Sequence, residues 1–529
     1  MTPLLSRLVV GIGVFACVAL PCQAAPLRVA VAYEVSNLTP YTPGLPENLL
    51  QLVYDTLAAP SPYLGNARPW LATTIVPEGQ DGRTWRIQLR DGVRWHDGRP
   101  FTADDVVFTL RYYRDGTPNR WTHHVSDTPK LTTIEPLDRL SLRISCEQPC
   151  PLFDRVTAAD LVILPSHLWH AVTQPHLYHG PLIGTGPYRV ANLAAGRFVR
   201  LESNRDYFGG TPRVDSIIIS FIRNPATAFA ALCAGELDLV VAPVPPELVG
   251  SLARRPGLAL KPAANEPVNA VEMRVNFDRV PFSDPAFRRA IALAIRPGEI
   301  LQRVALGQGL VGPFPAPVSP WTEPGLRQLG DDPVAARSIL DAKGFRDRNH
   351  DGVREDASGA PLRFSLKVSS SEPLHQRSAQ VVAQQLKAVG LQVRVDVVDP
   401  ARARALSSTR QFDLLIADVT PHNLADPDQL MQSVLYGYLW HDGRSYPELE
   451  ALIQEWRAAS SVEARIRAGF ALQELHSKAP VTLMLYYPTS QYAYRPHSYD
   501  HWRSIPGMGV FHKWSLLELS AGVPAWVEP

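Results

Sequence analysis

The sequence predicts an α/β protein with mixed sheets and more than one lobe. Three observations carry this. The chain has 529 residues, enough for about three domains or lobes at roughly 150 residues each. Strand and helix patterns alternate through 362–397, with a strand at 362–368, a helix at 376–389 closed by Gly390 and a strand at 393–397. That alternation gives βαβ units and a partly parallel sheet. Hydrophobic residues make up 45% of the chain, which supplies large cores. A charged fraction of 19% and a net charge of +1 exclude a disordered chain and one that wraps nucleic acid.

The elements follow in order. Arg7 precedes an apolar run over 8–20 that is too short to cross a bilayer and ends in small residues at Ala24-Ala25. This predicts a cleaved signal peptide over 1–25 and a secreted chain. Neither Cys17 nor Cys22 stands in a good lipoprotein box, and no later stretch is long and apolar enough to span a membrane. Residues 27–32 alternate as an opening strand, and 33–46 form a loop rich in turn residues. Residues 47–57 read as a helix. Trp85, Ile87 and Leu89 alternate with polar residues as a half-buried strand. Asp91-Gly92 and Asp97-Gly98 mark turns on either side of a second short strand. Thr102 and Asp105 form a capping box for a helix carrying Val106, Val107 and Leu110. A strand is expected at 140–144, helical spacing broken by Pro165 at 153–169, and a glycine-rich turn at 183–190. That turn lacks the Lys-Ser/Thr ending of a phosphate loop, and Pro187 stands where a helix would propagate. Further on come a strand at 216–221, a helix at 226–234 ended by Gly235 and a strand at 237–240. Ser283 is expected to cap a helix through Ile295. Residues 332–343 form a helix stopped by Gly344. A helix at 462–477 and a buried strand at 481–487 close the pattern.

The segment 85–108, the Gly184-Thr185-Gly186-Pro187-Tyr188 turn and the 274–291 stretch resemble, in order and composition, the family 5 extracellular solute-binding proteins. These are dipeptide-, oligopeptide- and nickel-binding receptors of ATP-binding cassette importers, and the resemblance runs from about Pro26 to about Tyr494. It implies a two-lobed periplasmic-binding-protein fold with an extra inserted domain and a hinged cleft. The domains it implies are 26–66, 186–278 and 498–529 for the first, 67–185 for the second and 279–497 for the third. It further implies a periplasmic substrate receptor, not an enzyme and needing no cofactor, that binds a peptide or peptide-like small molecule and, as a monomer and without nucleic acid, delivers it to permease transmembrane subunits. A secreted hydrolase, and a sensory or chaperone receptor on the same fold, are the alternatives in function. A nickel or other metal chelate is the alternative ligand.

The resemblance also points to the ligand. In peptide-binding relatives the segment corresponding to 412–428 carries a Trp, then an Asp that pairs with the peptide α-amino group, shortly before an Asp-Pro. Here Asp426-Pro427 is that pair, Ala417 or Asp418 stands at the Trp place, and Asn423 or His422 stands at the anchoring place. A neutral Asn weakens a charge-assisted bond to an ammonium, so Asp418 or Asp426 is the substitute carboxylate. The nickel branch places a His just after its Asp-Pro, where this chain has Asp428. Tyr33, Glu34 and Asn37 fall in a loop that lines the cleft wall in the family, and Trp440 either lines the pocket or packs in the core.

Four other patterns invite chemistry. Trp-His-Asp-Gly-Arg occurs at 95–99 and again at 440–444, and reads as two unrelated turns. Cys146 and Cys150 flank a short loop that a disulfide can close in an oxidising compartment; a metal reading lacks a second ligand pair. Cys233 reads as a small buried hydrophobe. His123-His124 reads as a solvated loop. Residues 347–355 space oxygen ligands at alternate positions before Gly352, like half of a calcium loop. Ser358 stands where a twelve-residue loop needs Glu, which favours a surface turn and no resident metal.

Overall fold

A computed structural model describes residues 25–59, 68–119, 121–126, 129–263, 270–313, 321–419, 447–478, 480–505 and 508–519. A seven-stranded sheet runs from Ala259–Pro262 through Gln491–Tyr494, Leu239–Val241, Leu27–Val31, Ser216–Phe221 and Phe198–Ser203 to Tyr188–Ala194. Its first strand in sequence, Leu27–Val31, is parallel to both neighbours. A six-stranded sheet runs from Gly309–Leu310 through Thr482–Pro488, Ala270–Val275, Leu414–Val419 and Arg363–Ser369 to Gln392–Val398. The last three are parallel, as the βαβ pattern requires. A four-stranded antiparallel sheet joins Ala72–Glu78, Thr84–Leu89, Ser141–Cys146 and Leu131–Asp138.

Two chain passages connect the seven- and six-stranded sheets. One leads from Ala259–Pro262 to Ala270–Val275, and the other from Thr482–Pro488 through Thr489 and Ser490 to Gln491–Tyr494. The second passage is tied down where Ser490 accepts from Ala263 N–H at 2.8 Å and Gln308 accepts from Thr489 N–H at 3.3 Å. Separate apolar cores lie against the two sheets, one around Val29, Leu201 and Ile217 and one around Met273, Leu366 and Leu485.

The 85–108 segment is a packing unit. Thr84–Leu89 buries Trp85, Ile87 and Leu89 and exposes the residues between them. Gly92 and Gly98 hold φ of 76° and 87°, the left-handed conformation that glycine adopts without strain. The second short strand reduces to a single bridge between Arg94 and Pro100. The capping box forms, with Thr102 N–H donating to Asp105 Oδ2 at 3.0 Å. Asp105 also accepts from Trp95 Nε1 at 3.2 Å and from the Ser166 hydroxyl at 2.6 Å. One carboxylate therefore fixes the turn, the helix start and a later loop.

His96 joins this unit to the glycine-rich turn. His96 N–H donates to Gly184 O at 2.9 Å, Gly184 N–H donates to Nδ1 at 3.3 Å, and Nε2 donates to Gly186 O at 2.9 Å. Burial pushes its pKa down to about 4. A Cβ on Gly184 would stand 1.8 Å from Val53 O, so that glycine is required by close backbone approach.

Beneath the turn lies a buried ion pair, Lys513 Nζ to Asp55 Oδ1 at 2.6 Å, with both side chains fully buried. Asp55 also accepts from Trp70 Nε1 at 2.8 Å, Tyr207 hydroxyl at 2.7 Å and Thr185 hydroxyl at 2.8 Å. The ammonium sits over the Trp70 and Trp514 rings at 5.0 and 4.8 Å.

Several sequence expectations are revised. The cap of helix Pro285–Ala294 is Asp284, whose side chain accepts from Ala286 N–H, because Pro285 takes the first helical position. The 153–169 stretch holds only the short helices Thr157–Asp160 and Ser166–Trp169. His124 is buried rather than solvated, with Nε2 3.0 Å from Asp160 Oδ2. The disulfide that the short loop allows does form, linking Cys146 and Cys150 with Cα atoms 6.4 Å apart. Cys233 is free and half-buried.

Candidate ligand cleft

In open α/β sheets, ligands meet the carboxyl ends of parallel strands. In the six-stranded sheet those ends are Ser369 and the end of Leu414–Val419. Helix Pro373–Lys387 starts immediately after the first, with Pro373 at its first position. Its opening turn brings His375 beneath Asp418, and the imidazole Nε2–H donates to Asp418 Oδ1 at 2.8 Å. The His375 side chain is 5% exposed and that of Asp418 48% exposed. A buried donor thus holds a carboxylate that remains open to solvent. Glu372 stands beside them, accepting from the Ser371 hydroxyl at 3.2 Å. One ligand atom from each of Glu372, His375 and Asp418 lies within 4.8 Å of the others. Such a cluster can accept an ammonium or guanidinium group, or ligate a cation.

The wall behind is polar and satisfied. Glu272 is fully buried and bonded to Arg274 Nε at 2.6 Å and to the Thr482 hydroxyl at 2.5 Å. Arg274 is held protonated mainly by the Glu272 charge. Burial raises the Tyr486 pKa, and its hydroxyl lies 3.3 Å from that of Ser378.

Across from this site stands helix Pro246–Ala253, which follows parallel strand Leu239–Val241 of the seven-stranded sheet. Arg377, on the helix that carries His375, lies 3.7 Å from Glu247. Gln308 Nε2 donates to Pro246 O at 3.1 Å. These contacts join the strand-end regions of the two sheets.

The expected cleft residues are distributed unevenly. Tyr33 follows the first strand of the seven-stranded sheet, and its buried hydroxyl has no hydrogen-bond partner among the described residues. Burial raises its pKa, with Tyr492 nearby adding to the effect. Glu34 is exposed and accepts from Arg223 Nη2 at 3.0 Å. Asn37 is engaged locally, donating to Tyr178 O at 2.6 Å and accepting from Leu38 N–H at 2.8 Å. These three therefore lie in the loop after a strand of the seven-stranded sheet, and Asp418 in a strand of the six-stranded one. His422, Asn423, Asp426 and Trp440 lie outside the described residues. Sequence reasoning missed Glu372, His375, Arg377 and Glu247. The available signal was Glu372-Pro373, an acidic residue before a first-turn proline directly after a strand.

Two sheets joined by two passages, with their strand-end regions brought together by the Arg377–Glu247 and Gln308–Pro246 contacts, make a two-lobed α/β fold. Among the described residues, no helix is long and apolar enough to cross a membrane. A family model for bacterial extracellular solute-binding proteins, family 5 middle region, matches residues 66–441, and the chain belongs to that family. It is 24% identical over 463 residues to the oligopeptide-binding protein AppA of Bacillus subtilis, covering 83% of this chain and 82% of the relative. It is 25% identical over 382 residues to the nickel-binding periplasmic protein of Escherichia coli, covering 70% of this chain and 71% of the relative. The crystal structure of a periplasmic oligopeptide-binding protein from Thermotoga maritima superposes with a TM-score of 0.82 at 25% identity, covering 93% of this chain and 97% of that one.

Proposed function

We propose that this chain is the extracytoplasmic substrate receptor of an ATP-binding cassette importer. It binds a peptide or peptide-like small molecule between its two lobes and presents it to the permease transmembrane subunits. The observation that carries this reading is the half-exposed Asp418 carboxylate, oriented by buried His375 at the strand ends that face helix Pro246–Ala253. Asp418 accepts the cationic group of the ligand. Closure of the lobes needs extra contacts in the closed state, and a micromolar dissociation constant corresponds to about 8 kcal/mol. The oligopeptide-binding relatives support the peptide class.

A metal chelate is the second reading. The Glu372, His375 and Asp418 ligand atoms, within 4.8 Å of one another, and the nickel-binding relative favour it. Thermal shift of the purified chain against a dipeptide and oligopeptide set, and against nickel with free histidine, separates the two. A peptide-specific rise in Tm that is lost in Asp418→Asn supports the first reading. A rise with nickel–histidine alone supports the second, and no rise with either sinks both.

In this account the protein is secreted through the 1–25 segment, acts as a monomer, and returns its ligand chemically unchanged. We take the domain division from the sequence with two adjustments. Pairing of Ala270–Val275 with Leu414–Val419 supports placing it in the third domain, and pairing of Gln491–Tyr494 with Ala259–Pro262 supports placing it in the first.

A further inference from the structure

The loop at 347–355 connects helix Pro333–Ala342 to strand Arg363–Ser369, away from the strand ends that form the cleft. It places Asp347, Asn349 and Asp351 at alternate positions and Glu355 four residues further on, with Gly352 in the left-handed conformation at φ 86°. Asp347 accepts from Gly352 N–H at 2.9 Å, Asn349 from Asp351 N–H at 2.9 Å and Asp351 from Val353 N–H at 2.8 Å. The loop curls so that one carboxylate oxygen each from Asp347, Asp351 and Glu355 lies within 4.8 Å of the others.

Glu355 provides a separate observation. It is 5% exposed, and its buried Oε1 has no hydrogen-bond partner among the described residues. Its other oxygen accepts from Arg348 N–H at 2.8 Å. The guanidinium groups of Arg348 and Arg354 are bonded elsewhere. Arg348 donates to Asp356 O at 2.8 Å and Gly344 O at 3.2 Å. Arg354 donates to Asp341 Oδ1 at 2.5 Å, Phe345 O at 2.6 Å and Val389 O at 2.7 Å. A buried carboxylate oxygen with no donor is costly, and two further carboxylates beside it add repulsion. A cation among the three removes both penalties.

The ligand chemistry selects the ion. All candidate donors are oxygens, which suits a hard cation and disfavours zinc or nickel. Calcium accepts such oxygens in a flexible coordination shell, whereas magnesium demands near-ideal octahedral geometry. We propose that residues 347–355 form a calcium site, with side chains of Asp347, Asn349, Asp351 and Glu355 and the Val353 carbonyl as ligands. Ser358, at the twelfth position, is not needed, because Glu355 closes the loop from its ninth. Bound calcium pins the connection between helix Pro333–Ala342 and strand Arg363–Ser369, and so stiffens the lobe that carries Asp418.

Calorimetric titration of the EDTA-stripped full chain with calcium chloride tests this, with circular dichroism to check the fold. We expect one site with a dissociation constant between about 1 μM and 1 mM, the span of sensor and extracellular sites. Asp351→Asn, at an exposed position, is expected to weaken binding at least tenfold, and Glu355→Gln to do the same. No binding to the folded, stripped chain overturns the proposal. So does equal affinity for magnesium, or calcium binding undiminished in a folded Asp351→Asn variant.

Discussion

Replacing Lys513 by Met removes the ammonium from a pair in which both partners are fully buried. The Asp55 carboxylate would keep three donors, from Trp70, Tyr207 and Thr185, but lose its counter-charge. Unit charges 2.6 Å apart attract by roughly 6 kcal/mol at an effective dielectric of about 20. Recovery of the lysine desolvation cost and the remaining hydrogen bonds offset part of this. Breaking one side of a buried pair typically costs about 3–5 kcal/mol, and that is the expected loss. Desolvation already pulls the Lys513 pKa down, against the Asp55 charge. Asp55→Asn therefore leaves a lysine that sheds its proton, and its cost should be of similar size. The double variant should cost at least about 2 kcal/mol less than the sum, because neither stranded charge remains. Urea unfolding followed by tryptophan fluorescence supplies the cycle. A loss below about 1 kcal/mol for Lys513→Met, or strict additivity, would refute the reasoning.

Three further outcomes follow from the same geometry. Gly184→Ala should lower Tm sharply or prevent folding, because its Cβ would stand 1.8 Å from Val53 O; a thermal melt matching the parent would contradict this. His96, His476 and His512 have pKa values lowered by burial to about 4, 4 and 3. Their folded pKa lies below the unfolded value, so stability is complete above about pH 6.5 and falls as pH drops toward 4, by up to about 1.4 kcal/mol per pH unit per histidine. Melting curves from pH 7 to 4.5 check this, and His96→Gln should flatten the profile if the parent is the steeper. Cys146→Ser with Cys150→Ser should cost about 2 kcal/mol, the loop-closure value for so short a loop, measured by urea unfolding under non-reducing conditions.

The fold was legible where one face of an element is buried. Trp85, Ile87 and Leu89 point inward between exposed neighbours, and the period-2 pattern records that directly. Strand Leu131–Asp138 escaped notice because it forms one edge of its sheet and buries only Leu131 and Ile134. Helix Pro400–Thr409 escaped because Leu406 is its one buried residue. The cleft was harder for a different reason. Asp418 stands out as a candidate in the sequence, but His375, which orients it, lies 43 positions away, and Glu247 faces Arg377 from the helix that follows a strand of the other sheet. No local periodicity encodes a pairing across two sheets. The 85–108 segment identified the family through its packing, and its polar groups are spent on the turn at 184–186 and on helix capping.

Native mass spectrometry of the full chain purified from its host, beside the Asp418→Asn variant, tests the central claim most directly. The account predicts that the parent retains a small molecule with a cationic group, chemically intact, and that the variant loses at least about thirty-fold in occupancy-derived affinity, the loss of one charge-paired contact that closure of the lobes desolvates. Equal retention by both proteins would contradict the role of Asp418, and recovery of a converted product would contradict the receptor.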